Sequence, residues 1–64
     1  MEYVNSRLRE IIAEYVQGER DRRIMERRLI DKVTLESLGE EFQMSDRQIK
    51  RIVKKLSLLI FKYY

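Results

Sequence analysis

Residues 34–55 read "TLESLGEEFQMSDRQIKRIVKK", and the fold turns on whether this stretch is one helix or two. Its Glu, Leu, Lys and Arg favour a continuous helix. Against that stand Gly39, a soft break at Gln43-Met44-Ser45, and a change of sign. Residues 34–44 carry Glu36, Glu40 and Glu41 and no base, whereas residues 45–64 carry Arg47, Lys50, Arg51, Lys54, Lys55 and Lys62 against Asp46 alone. Ser45 followed by Gln48 has the Ser-x-x-Gln spacing of a capping box, so a new helix starts at Ser45. Two helices joined by so short a turn cross steeply, as in a helix-turn-helix. Leu38 and Phe42 on the first and Ile49 and Ile52 on the second form the shared core, with Met44 filling the corner. A mid-helix glycine costs up to about 1 kcal/mol relative to alanine. Close approach of the two helices at Gly39 is the reason to keep it.

On a 3.6-residue wheel, Ile49, Ile52, Val53 and Leu56 fall on one side of the second helix. Arg47, Lys50, Arg51 and Lys54 fall on the other. A basic face opposite a buried one is what a recognition helix needs to enter a major groove. The expectation is sequence-specific binding of double-stranded DNA by segment 45–55. Arg47, Gln48, Lys50 and Arg51 are the base-edge candidates. Arginine offers guanine a bidentate contact and glutamine can pair with adenine, although the cap competes for Gln48. Ser45, Lys54 and Lys55 are phosphate candidates. Arg22, Arg23, Arg27 and Arg28, of which Arg28 is kept as a phosphate candidate, touch the DNA backbone or pair with Glu19, Asp21, Glu26 and Asp31. For most of them, pairing at helical spacing is the expected outcome.

Upstream, Leu8, Ile11, Ile12, Tyr15 and Val16 paint an apolar face on a first helix, with Asn5 or Ser6 as N-cap and Gly18 as left-handed C-terminal cap. A second segment begins with Glu19 and Asp21 and becomes arginine-rich, in keeping with the helix dipole. Ile24, Met25, Leu29 and Ile30 turn to the core, and Arg20, Arg23 and Arg27 point outward. Thr34 caps the third helix. The fold class is all-α, one domain over residues 1–64, with helices at about 5–17, 19–31, 34–42 and 45–62.

The chain of 64 residues has no Cys, His, Trp or Pro. Without cysteine, neither a disulfide nor a thiolate zinc site can staple so small a domain. The commonest general base, the best nucleophile and the usual zinc ligands are missing. The expectation is no enzyme, no catalytic residue, no metal and no cofactor. No apolar run approaches the roughly 18 residues of a membrane span and no signal peptide is evident, so no membrane and a cytoplasmic location are expected.

Residues 23–56, "RIMERRLIDKVTLESLGEEFQMSDRQIKRIVKKL", resemble region 4 of bacterial sigma factors without a gap. Ile24-Met25 and Leu29 stand where that family has its aliphatic pair and a later Phe, Tyr or Leu. Val33-Thr34-Leu35-Glu36 matches its Leu-Thr-Leu-Glu entry and Leu38-Gly39 its Ile-Ala. Met44-Ser45 matches its Val-Ser, and Arg47 to Val53 its basic recognition helix. The resemblance implies a transcription-related DNA-binding domain, with RNA polymerase as a further partner. Gln43 replaces the usual turn glycine. Either it bears a left-handed backbone, at about 1–2 kcal/mol, or the turn differs. These residues leave no room for the sigma domain that melts the promoter. The expectation is therefore a small sigma-like regulator of the kind found in phages and mobile elements of low-GC Gram-positive bacteria.

After Lys55 the helix reads "LSLLIFKYY", apolar nearly all round. Leu56, Leu59, Ile60 and Tyr63 continue the buried stripe, while Leu58 and Phe61 share the side of Arg47, Arg51 and Lys54. Either the first helix covers part of this end, or two chains pair there as a homodimer through Leu56, Leu58, Leu59 and Phe61, or the last residues fray. A dimer would read half-sites about 34 Å or a multiple apart. The rival function is a protein-interaction module that binds RNA polymerase or a sigma partner through this apolar terminus.

Overall fold

The computed structural model describes residues 2–64, with side-chain surroundings from residue 5 onward. Four α-helices pack together: α1 (Glu2–Tyr15), α2 (Glu19–Leu29), α3 (Leu35–Phe42) and α4 (Asp46–Tyr63). The described residues contain no strand. The start of α2 and the end of α3 fall where the sequence reading put them, and the other helix ends differ from it by one or two residues, apart from the start of α1, which lies three residues earlier.

Asn5 and Ser6 are not the expected N-cap but lie inside α1, which starts at Glu2. A cap-type residue sets a helix start only where the backbone before it leaves the helix, and here the helix already runs through both positions. Gly18 is also corrected. It is not the C-cap of α1, which ends at Tyr15, but the N-cap of α2 with φ 91° and ψ 127°. Glycine alone adopts such a backbone readily, and the Gly18 carbonyl accepts the Arg22 N–H at 3.0 Å. The reversal between α1 and α2 is held by a side chain: Arg22 Nε donates to the Val16 carbonyl at 2.6 Å.

The core has two connected parts. Leu8, Ile11, Ile12 and Val16 of the first helical segment meet Met25 of α2 and Ile60 of α4. Ile24 of α2, Leu38 of α3 and Ile49 of α4 form the second part, flanked by Val33, Leu35, Phe42, Met44 and Ile52. Val53 packs against both. Consecutive residues Ile24 and Met25 thus place α2 astride the two clusters. α4 is clamped at its beginning by α2 and α3, and towards its end by α1. Each fully buried aliphatic side chain stabilises the fold by about 1.5–3 kcal/mol.

The break between α3 and α4 is real. Gln43 has φ 55° and ψ 49°, a left-handed conformation. The Met44 N–H donates to the Gly39 carbonyl at 2.8 Å and the Gln43 N–H to that of Glu40 at 3.4 Å. This bond pair, with Met44 packed on the Leu38 cluster, is a Schellman ending. Of the two readings of Gln43, the left-handed one holds.

Gly39 is buried, and a Cβ built on it would lie 2.8 Å from the Met44 carbonyl oxygen and 3.3 Å from Asp46 Oδ1. The close approach is therefore to the backbone of the turn leading into α4. Helix propensity alone would make Gly39→Ala stabilising by up to about 1 kcal/mol. The clash with backbone reverses the sign, and a net loss of about 1–2 kcal/mol is expected from overpacking. Gln43→Gly should instead gain about 0.5–1 kcal/mol, because glycine carries no left-handed penalty but loses more entropy on folding. Urea melts of the two variants check both signs.

Candidate nucleic-acid interface

The site begins with the cap of α4. Ser45, with φ −70° and ψ 156°, precedes the helix. Its Oγ accepts the Gln48 N–H at 3.2 Å, and Gln48 Oε1 accepts the Ser45 N–H at 3.2 Å. The capping box read from the sequence is present in both directions. It fixes where the helix starts, and hence the rotation of every later side chain. The first-turn N–H groups of Asp46 and Arg47 have no partner within the helix, so they are donors for water or an anion.

With that phase set, Ile49 is fully buried and Ile52, Val53 and Leu56 are half-buried. Arg47, Lys50, Arg51, Lys54 and Lys55 are all exposed. None of the five is paired with a carboxylate among the described residues, whose ion pairs involve Arg7, Arg20 and Arg27. The cationic side of α4 is exposed and unpaired among the described residues. Its negative counterpart lies on α3, where Glu36, Glu40 and Glu41 are exposed.

The candidates differ in how free their atoms are. Gln48 is exposed, but its amide oxygen is engaged in the cap and accepts the Ser45 hydroxyl as well, at 3.4 Å. A bidentate adenine contact needs both amide atoms, so it would require opening the cap. Ser45 Oγ is committed in the same way. Arg28, on α2, is half-buried and donates from Nη1 to the Val33 carbonyl at 3.0 Å. That bond closes the α2–α3 link, in which Lys32 is left-handed with φ 59°.

Pairing at helical spacing describes few of the α2 arginines. Arg27 meets Asp31 at 3.3 Å, four residues on, but its shorter contact is to Glu41 of α3 at 2.9 Å. It is half-buried between these carboxylates and does not simply point outward. The hydrogen bond to Glu41, then its charge, raises the Arg27 guanidinium above its ordinary range. Arg27, a cation like every guanidinium, ties α2 to α3 through these carboxylates. Arg22 and Arg28 satisfy loop carbonyls instead of acids. Arg23 joins Glu19, Arg20 and Phe42 around an open cleft of about 340 Å³ between α2 and α3. The sequence reading missed this grouping, because no spacing rule links positions 20 and 23 with 42.

At the far end of α4 the basic side gives way to exposed Leu58 and Phe61. α1 covers Ile60 from the opposite side, and Tyr15 stacks on Tyr63 with ring centroids 3.9 Å apart. Leu56 and Leu59 are half-buried. Of the readings of this terminus, cover by the first helix describes Ile60 but not Leu58 or Phe61; Tyr63, expected in the buried stripe, stacks on Tyr15 with one face and stays exposed, because the stripe runs past the end of α1's cover. Among the described residues there is no cluster of His, Cys, Asp or Glu able to hold a metal, and no helix long and apolar enough to cross a membrane. No family model, curated protein or solved structure matches this chain.

Proposed function

We propose that this chain binds double-stranded DNA sequence-specifically as a cytoplasmic regulator of transcription, a binding protein without catalytic activity. Segment 45–55 of α4 lies in the major groove. One observation carries the reading: five exposed cations without carboxylate partners among the described residues line one side of a helix whose other side is held in the core. Such a helix offers its near-N-terminal side chains to base edges and its flanking cations to phosphates. Arg47, Lys50 and Arg51 contact bases, and Lys54 and Lys55 contact phosphates. Ser45, Gln48 and Arg28 serve mainly to build the interface, given the bonds they already make. The resemblance of residues 23–56 to sigma region 4 supports a role in transcription, with RNA polymerase as an additional partner.

Selection of bound duplexes from a random pool tests the reading. The expected outcome is a recovered consensus whose affinity falls about a thousandfold between 50 and 200 mM salt, as for a protein neutralising several phosphates. An unenriched pool, or binding indifferent to salt, would overturn it.

A further inference from the structure

We infer that the last turns of α4 are a docking surface for an acidic amphipathic helix of another protein. Leu58 is 72 % exposed, Phe61 55 % and Tyr64 49 %, and the Phe61 and Tyr64 rings meet edge-on at 6.1 Å. A lone exposed leucine needs no explanation. Here Leu58 and Phe61 lie one turn apart on α4, Tyr64 follows just past its end against Phe61, and all three stay exposed. The core does not need them, since Val53, Leu56 and Ile60 already supply α4's share of the cluster under α1.

Charge identifies the occupant. The positions three and four residues to either side of Leu58 are Lys54, Lys55, Phe61 and Lys62, and α4 carries no acid after Asp46. These are the side chains that neighbour Leu58 on a helix. A second copy of the chain is a poor fit. Antiparallel two-fold pairing about Leu58 sets Lys54 against the other copy's Lys62. Parallel pairing sets each lysine against itself, and α4 has no Asp or Glu after Asp46 to compensate. DNA would satisfy the lysines but leaves Leu58 and Phe61 nothing to bury against. A helix with leucines on one stripe and glutamates beside it satisfies both, in the helix-in-groove manner.

The test is fluorescence anisotropy of the full chain with a labelled helical peptide carrying leucines at i, i+3, i+4 and i+7 flanked by glutamates. Saturable binding is expected, weakened at least about tenfold by Leu58→Ser with Phe61→Ser, as loss of two buried apolar contacts implies. It should weaken likewise when the peptide's glutamates become lysines. Both substitutions are at exposed positions, so the circular dichroism melt and DNA affinity should stay as in the parent chain. DNA affinity is read separately through Arg47 and Arg51, so either proposal can fail alone. Four outcomes would overturn the assignment: no binding at 1 mM peptide, equal binding of a peptide with serines for leucines, a dimer in sedimentation that Leu58→Ser dissolves, or uptake by phosphatidylserine vesicles that the same change abolishes.

Discussion

Replacing Arg47 and Arg51 together by alanine is expected to lower affinity for a selected duplex by about a hundredfold or more. Each arginine that grips guanine O6 and N7 supplies about 1–3 kcal/mol of discrimination, and 1.4 kcal/mol is a factor of ten. The loss should be uneven across sequences: the double variant binds the consensus hardly better than scrambled DNA. Lys54→Ala with Lys55→Ala should behave differently. Phosphate contacts carry no sequence information, so that variant weakens all duplexes alike and flattens the salt dependence by about one logarithmic unit per contact. Competition binding with consensus and scrambled duplexes at two salt concentrations separates the two patterns. All four side chains are exposed, so none of these changes should unfold the protein.

Leu38→Ala carries the largest expected effect on stability. Leu38 is completely buried between Ile24 and Ile49, where α2, α3 and α4 meet. Removing such a side chain costs about 2–5 kcal/mol, the lost transfer energy plus the cavity left behind. A 64-residue chain has about 3–10 kcal/mol in total, by the usual stability per residue. The variant should therefore be partly or largely unfolded at 37 °C, and its DNA binding should fall with its helicity. Comparing its thermal melt with that of Arg47→Ala/Arg51→Ala distinguishes losing the platform from losing the contact.

What could be read from the sequence was local or periodic. Ser45 with Gln48, and Thr34 capping the Ser37 N–H at 3.1 Å, are contacts within one turn, which spacing reveals. The burial of Ile49 opposite exposed Arg47 and Arg51 follows from helical periodicity once the start of α4 is fixed. Gly39 was legible as a close approach, but not the atom approached, which depends on the path of the turn. Gln43 stayed undecided because its left-handed backbone is supported from elsewhere, by the Met44 bond to Gly39 and by Met44 packing on the core.

Arginines were least legible. Their long side chains reach Val16, Val33 and Glu41 across the fold, and spacing along one helix says nothing of such partners. The same limit applies to Asn5 and Ser6, good caps by residue type that lie inside a helix begun earlier. For the interface itself, this means that the phase of α4 was readable, whereas the commitment of Gln48 and Arg28 to internal bonds weakens them as DNA contacts.

The most direct measurement is an amide chemical-shift titration of the ¹⁵N-labelled protein with a selected duplex. The largest changes should fall on residues 45–55, strongest at Arg47, Lys50 and Arg51, with α1 and the acidic surface of α3 almost unmoved. Shifts concentrated on α2 around Arg20 and Arg23, or on Leu58 to Tyr64, with α4's basic turns silent, would contradict the placement of α4 in the groove.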